Sequence, residues 1–203
     1  MTRGDRSSTA SRETTSLLAH HFKLGHAAAL ALVDELSDEQ FRWRPATGPQ
    51  SIGWNLWHIA KWDDFMAEVL VARTPSLSHL GPAHQIWDSG RIASQWGWET
   101  GRLGILDGGT GLADDDAAAL ELPAKQDVVA YAIEAFRHLE NVVTELGDSL
   151  LPKVVPGSII YPSDPKPDTY GNYLVPWLNH GYEHLGTMEA IKGLLGMRGA
   201  VDL

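Results

Sequence analysis

The sequence predicts an all-α chain built as a four-helix bundle with long connections. Three observations predict it. Four stretches carry apolar residues at steps of three, four and their sums, the spacing that lines up one face of a helix. No stretch shows strand alternation or an internal repeat. The segments between the four stretches are irregular and rich in proline, glycine and aspartate.

The first stretch, 13 to 36, has its stripe at Leu18, Phe22, Ala29, Leu32, Val33 and Leu36. SDEQFRWRPATGPQ, 37 to 50, breaks that pattern with prolines and a glycine. Ser51 stands as N-cap of a second helix, 52 to 73, which Pro75 closes. A third helix fits 127 to 147, with Val129, Ile133, Phe136, Val143 and Leu146 on one face. Asp127 is expected to cap it and Gly147 to end it. The fourth covers 172 to 196, with Gly196 as its stop. The links at 74 to 126 and 148 to 171 are long for a compact domain. Such links usually carry function or short elements of their own, and one or two short helices are expected around HQIWDSGRIASQWGW, 84 to 98. The polar residues 1 to 12 are expected to form a disordered tail and not a secretory signal. The domain then runs from 13 to 203.

Composition narrows the function. A chain of 203 residues with 43% apolar content suits one domain with its own core. The formal charge of -10 argues against a nucleic-acid partner, which needs a basic face for phosphates, and against a surface for anionic lipid. The longest aliphatic run, AAALALV at 27 to 33, is far too short to cross a bilayer. The absence of cysteine removes disulfides, cysteine zinc sites and a thiol nucleophile of the chain's own. These features point to a cytoplasmic protein acting on a small molecule.

The candidate chemistry lies in histidines. On the fourth helix, His180, His184, Thr187, Ile191 and Leu195 share one face, and on the second, Asn55, His58, Trp62, Phe65 and Val69 do. Both faces point toward the core, so His58, His180 and His184 are expected to converge. An i, i+4 histidine pair is a common helical metal chelate, and a third imidazole from a facing helix completes a three-ligand site with open positions. The blander reading, core histidines hydrogen-bonded to neighbours, stays open for each residue alone. His20, His21, His26, His79, His84 and His138 read as surface or loop residues, with His21 the one that a helix-one position brings nearest the cavity. Trp62, Trp96 and Trp98 are candidate pocket walls.

Residues 180 to 184 also spell H-G-Y-E-H, the H-x-x-E-H pattern of inverted zinc peptidases. Those enzymes need a further acidic ligand downstream in a much larger domain. Only Glu189 is near enough here, and it points to another side.

Two segments resemble the DinB-like (YfiT-like) metalloenzyme family. LSDEQFRWRPATGPQSIGWNLWHIAKWDD, 36 to 64, resembles the family's segment around its first histidine. NHGYEHLGTMEAIKGLLG, 179 to 196, resembles its final helix, where an H-x-x-x-H pair precedes a Gly-Gln-like step. That step is Gly186-Thr187 here, so the common glutamine is replaced. The resemblance implies an antiparallel four-helix bundle of unusual helix order, often a homodimer. It implies a divalent metal, zinc or nickel, on His58, His180 and His184. It also implies S-transferase or isomerase chemistry with a low-molecular-weight thiol of the mycothiol or bacillithiol type as cosubstrate.

The residues are consistent with that. Three neutral imidazoles leave the metal's charge uncompensated, so an anion is favoured at the open position, and a coordinated thiol is deprotonated. Glu183, one residue before the third ligand, is the candidate catalytic residue, as a base or as an orienting group. Its plain alternative is a solvated helix glutamate. Arg91, Arg102 and Lys61 are candidates for a cosubstrate-binding rim. Two other functions stand beside the thiol-dependent transferase: a hydrolase using metal-activated water, and a non-catalytic metal or small-molecule binding protein.

Overall fold

The computed structural model describes residues 12–157 and 168–199. The residues expected to form a disordered tail, apart from Arg12, lie outside this range. Four long helices carry the fold: α1 (Glu13–Asp34), α3 (Ile52–Arg73), α7 (Lys125–Glu145) and α8 (Tyr170–Leu194). Between them sit α2 (Asp38–Arg42), α4 (Ile86–Ser89), α5 (Ile92–Gln95), α6 (Asp114–Ala119) and two 3₁₀ turns, Pro75–Leu80 and Asp148–Leu150. Among the described residues there are only two isolated β-bridges, Ile105 with Thr110 and Val154 with Thr169. Among the described residues, no helix is long and apolar enough to cross a membrane.

Helix α3 packs against α7 and α8, and α1 packs against the same two. Contacts along the helices fix their directions. Lys125 meets Val33 while Glu140 meets His26, so α1 and α7 are antiparallel. Asn55 meets His184 while Asp63 meets Trp177, so α3 and α8 are antiparallel. Tyr182 meets His21 while Lys192 meets Leu32, so α1 and α8 run the same way. The bundle therefore consists of two antiparallel pairs laid side by side, and α3 and α7 are parallel neighbours. That explains the long 74 to 124 link. A chain leaving the end of a 22-residue helix must climb back about 33 Å, at 1.5 Å per residue, before a parallel neighbour can begin.

Local signals set the helix ends. Ser51 Oγ accepts from the Trp54 N–H at 3.1 Å, as a side-chain cap should. Thr169 Oγ1 does the same for Asn172 N–H at 3.2 Å, so α8 starts two residues earlier than its apolar pattern suggests. Asp127 does not cap α7. Ala124 holds that position and Asp127 lies in the first turn, where its charge complements the helix dipole. The helix ends at Glu145, two residues before Gly147. Segment 37 to 50 is not wholly irregular. Ser37 and Gln40 form a reciprocal capping box that starts α2. The carbonyls at the end of α1 are met by two lysines. Lys125 Nζ donates to Val33, Asp34 and Leu36 at 3.2, 3.0 and 2.6 Å, and buried Lys192 donates to Leu32 at 3.1 Å.

The core has two blocks. One gathers Phe41, Leu56, Trp57, Trp87, Trp98, Phe136 and Met188. The other gathers Phe22, Phe65, Met66, Leu70, Leu139, Val142 and Trp177. Trp96 and Trp98 belong to the first block, where they pack edge-on with ring centroids 5.1 Å apart. His58, His180 and His184 lie between α3 and α8, near the boundary of the blocks.

Candidate metal centre

Three imidazoles converge where α3 crosses α8. His58 comes from α3 and is buried; His180 and His184 come from successive turns of α8 and are half-buried. Each offers a nitrogen that lies within 4.8 Å of the other two. Nε2 of His58 and Nε2 of His180 are 3.1 Å apart. Two nitrogens each bonded to one ion at about 2.0–2.1 Å, at a tetrahedral angle, stand about 3.3 Å apart. His58 and His180 therefore already stand at the spacing of two ligands of one divalent ion, with a nitrogen of His184 within 4.8 Å of both.

The surroundings fix which nitrogen His58 and His184 present. His58 Nδ1 lies 2.5 Å from the carbonyl of Gly108. A carbonyl only accepts, so Nδ1 carries the proton and Nε2 carries the lone pair. His184 Nδ1 lies 2.7 Å from Oδ1 of Asn55. The amide orientation of Asn55 is set by its other end, where Nδ2 donates to the carbonyls of Gln50 and Ser51 at 3.1 and 2.9 Å. Its oxygen must then face His184, which places that ring's lone pair on Nε2 as well. Trp54 stacks on His58 with centroids 4.7 Å apart and planes at 13°, which fixes the ring plane. Such outer partners orient ligands and raise their basicity.

Burial favours the uncharged form of all three rings. It lowers the pKa of His58 well below the ordinary histidine value, with the neighbouring His184 and His180 adding to the effect. It pushes His184 down to about 4, with His180 contributing, and it lowers His180. Neutral imidazole is the form that binds metal.

The link between α3 and α7 closes one side of the cluster. Gly108 supplies the carbonyl for His58, and Thr110 Oγ1 accepts from Trp62 Nε1 at 3.2 Å. Gly109, with φ +85°, fits where nothing larger does. A Cβ there would stand 2.6 Å from Trp54 and 3.2 Å from Nδ1 of His58.

The chain pattern across this region is diagnostic. The sequence profile of the DinB superfamily matches residues 21–188. The chain belongs to the DinB superfamily. A conserved protein from Enterococcus faecalis shares the fold of this DinB chain. The TM-score is 0.68, over 90% of this chain and 97% of that one, at 18% identity. That likeness speaks for the fold alone. No curated protein matches the chain.

The structure brings His58, His180 and His184 together, with the candidate wall residue Trp62 beside them, and leaves the candidate rim residues Arg91, Arg102 and Lys61 on other partners or apart. Glu183 is exposed; its negative charge acts on His180, and its backbone carbonyl accepts from Thr187 Oγ1 at 3.1 Å. Thr187, at the family's glutamine position, is thus bonded back onto its own helix. Lys61 is buried and donates to Gln85 at 2.6 Å, while exposed Arg102 pairs with Glu99 at 3.2 Å. Arg91 is exposed at the start of α5. A basic rim lies elsewhere, where Arg42 and Arg44 border a groove of about 370 Å³ that reaches Trp54.

His21 is exposed and offers its backbone carbonyl to Tyr182. His26 corrects the sequence reading. It is buried, not on the surface, with Nε2 2.8 Å from Asp63 and Nδ1 2.7 Å from Glu140. Asn55 was readable on the inward face of α3, but its partner on another helix was not. Nothing in the spacing of the glycine-rich link singles out Gly108.

The hydrogen bond to His184 makes Asn55 a positioning residue with a measurable effect. Asn55→Leu keeps the volume and leaves Nδ1–H of His184 without its acceptor. Zinc affinity is expected to fall by about 10–100-fold, read by competition with a chromophoric chelator, while far-ultraviolet circular dichroism keeps its helical signal. Unchanged affinity would remove Asn55 from the site.

Proposed function

We propose that this DinB chain is a metal-dependent enzyme that uses a low-molecular-weight thiol in group transfer or isomerisation of a small substrate. The observation that carries the reading is the locked pair of tautomers: Gly108 and Asn55 turn the Nε2 lone pairs of His58 and His184 toward the same point as His180. A core histidine pair with no ligand has no need of that convergence. A divalent ion, zinc or nickel, would be held by His58, His180 and His184 and would supply a Lewis acid that favours the thiolate form of a thiol.

The chain's own residues do the rest. His58 and His184 hold their rings through Gly108 and Asn55, so little reorganisation is needed when ligands change. Trp54 stacks on His58 and Trp62 stands edge-on to it, so the buried ring has an apolar surround. Glu183, solvent-facing and electrostatically linked to His180, takes the role of proton carrier at the rim. The absence of cysteine means the thiol comes with a cosubstrate. In this reading the protein acts in the cytoplasm, as a homodimer of the kind the family resemblance implies.

Elemental analysis of the purified protein is expected to give about one divalent ion per chain. In the cobalt-substituted protein, azide and small thiols are expected to change the visible spectrum. A chain that takes up no metal, or a cobalt spectrum indifferent to every added ligand, overturns the proposal.

A further inference from the structure

The metal cluster opens on one side into a cleft of about 280 Å³. His180 forms its inner end, next to Trp62 and Trp177; Tyr173 and Pro176 continue the wall outward, and Thr110 and Asn172 are its polar members. Its chemistry is unlike that of a site for a charged metabolite. Among the described residues, no Lys, Arg, Asp or Glu lines it. Both indole N–H groups are already spent on the protein: Trp62 on Thr110 at 3.2 Å and Trp177 on buried Asp63 at 3.0 Å. What the two rings offer a ligand is carbon surface. They meet edge to face, centroids 5.5 Å apart and planes at 71°, which makes a corner and not a flat wall. Trp177 also reaches His180, centroids 5.9 Å apart.

The size limits the occupant. Pockets for drug-sized ligands run from about 300 to 1,000 Å³, so this cleft takes one ring or a short branched alkyl group. The basic groove at Arg42 and Arg44 lies on the Trp54 side and shares no lining residue with the cleft. An anionic body has no counter-charge in the cleft and would be desolvated there without compensation.

We infer that the cleft beside His180 is the pocket for the acceptor substrate, and that it selects a small uncharged compound with a single-ring or branched-alkyl body. The inference rests on the proposed metal chemistry for its reactive end. The cleft itself is testable without metal.

Two arms separate the cleft from the metal. In the metal-free protein, benzyl alcohol is expected to shift the indole N–H signals of Trp62 and Trp177 saturably, leaving the other six of the eight tryptophans unmoved. 2-Hydroxyethanesulfonate is expected to shift none. In the cobalt-loaded protein, benzyl mercaptan is expected to bind at least tenfold more tightly than 2-mercaptoethanesulfonate, because only the first buries its body. Asn172→Arg, at an exposed position in the first turn of α8, puts a cation at the mouth and is expected to cut that preference at least threefold, with azide binding unchanged. If cobalt does not bind while benzyl alcohol still shifts the two indoles, the metal reading fails and the pocket stands. If benzyl alcohol leaves Trp62 and Trp177 unmoved, or the two thiols bind equally, the pocket assignment is overturned. A preference that survives Asn172→Arg unchanged shows that the ring of the benzyl probe does not lie in the cleft and overturns it too.

Discussion

Replacing His26 with leucine is expected to destabilise the folded chain by about 3–5 kcal/mol, the usual cost of removing one partner from a buried charge network. His26 stands on α1 with its two ring nitrogens 2.8 Å from Asp63 on α3 and 2.7 Å from Glu140 on α7. It also stacks on Phe136, with centroids 4.0 Å apart and planes at 5°. Both nitrogens face carboxylates, so both carry protons. Leucine would keep most of the packing and leave two carboxylates facing each other across a buried site. Urea unfolding at pH 7 should show a lower midpoint with little change in slope. For a chain of this length the melting temperature should fall on the order of 10 °C. A loss below about 1 kcal/mol would mean that water or rearrangement already neutralises the cluster.

The same residue sets a pH window. Burial by itself lowers the pKa of His26, but the hydrogen bonds and charges of Asp63 and Glu140 outweigh it and raise the value to about 9, from 6.5 for the free side chain. The folded state therefore binds the proton more tightly than the unfolded chain does. The stability from this group is fully present below pH 6.5 and is lost as the pH rises to about 9. The loss is of the order of 3 kcal/mol, since each pKa unit is worth about 1.4 kcal/mol. Unfolding free energies measured between pH 6 and 9 should fall in the native chain and fall much less in His26→Leu. Equal slopes in the two proteins would assign the alkaline loss to other groups.

His26 also marks where sequence reading runs out. Helices α1, α7 and α8 were legible because each buries a face, and that burial writes a period of 3.6 into the sequence; α3, buried on nearly every side, was legible from its Ser51 cap and from Pro75 beyond its end. The Ser51 cap, the short helices near 84 to 98 and the convergence of His58, His180 and His184 followed from local chemistry and helical spacing. A histidine whose two partners lie on other helices leaves no such trace. Position 26 is four residues from Phe22 on the inward face of α1, yet nothing nearby says that Asp63 and Glu140 will meet it. The carbonyl of Gly108 is hidden for the same reason: a backbone oxygen has no residue type, and only the path of the 74 to 124 link delivers it to His58. Asp127 misled because an acidic residue suits both the cap and the first turn. The Ser37 to Gln40 capping box was available to inspection, but the prolines that follow it masked a helix of five residues.

An effect of similar size is expected at the three-histidine cluster, and His180→Ala is the variant that isolates it. His58 is buried under Trp54, and His184 is tied to Asn55, so truncating either also disturbs packing or leaves an amide unpaired. His180 is half-buried, lines the cleft, and among the described residues its side chain's one hydrogen-bonding neighbour is Nε2 of His58. Its removal should leave the metal-free fold intact and reduce a three-point chelate to two. A ligand that binds only the folded state adds RT ln(1 + [L]/Kd) to stability, about 4 kcal/mol at a thousand times Kd. In a chain of this length that raises the melting temperature on the order of 10 °C. Zinc should therefore raise the melting temperature of the native chain, fail to raise that of His180→Ala at the same concentration, and raise that of His79→Ala as in the native chain, because exposed His79 bonds within its own turn and toward Glu145, outside the cluster. If His180→Ala keeps the full increment, the ion is held elsewhere. If its metal-free form melts well below the native metal-free chain, His180 is part of the packing, and the convergence of the three rings has a structural cause.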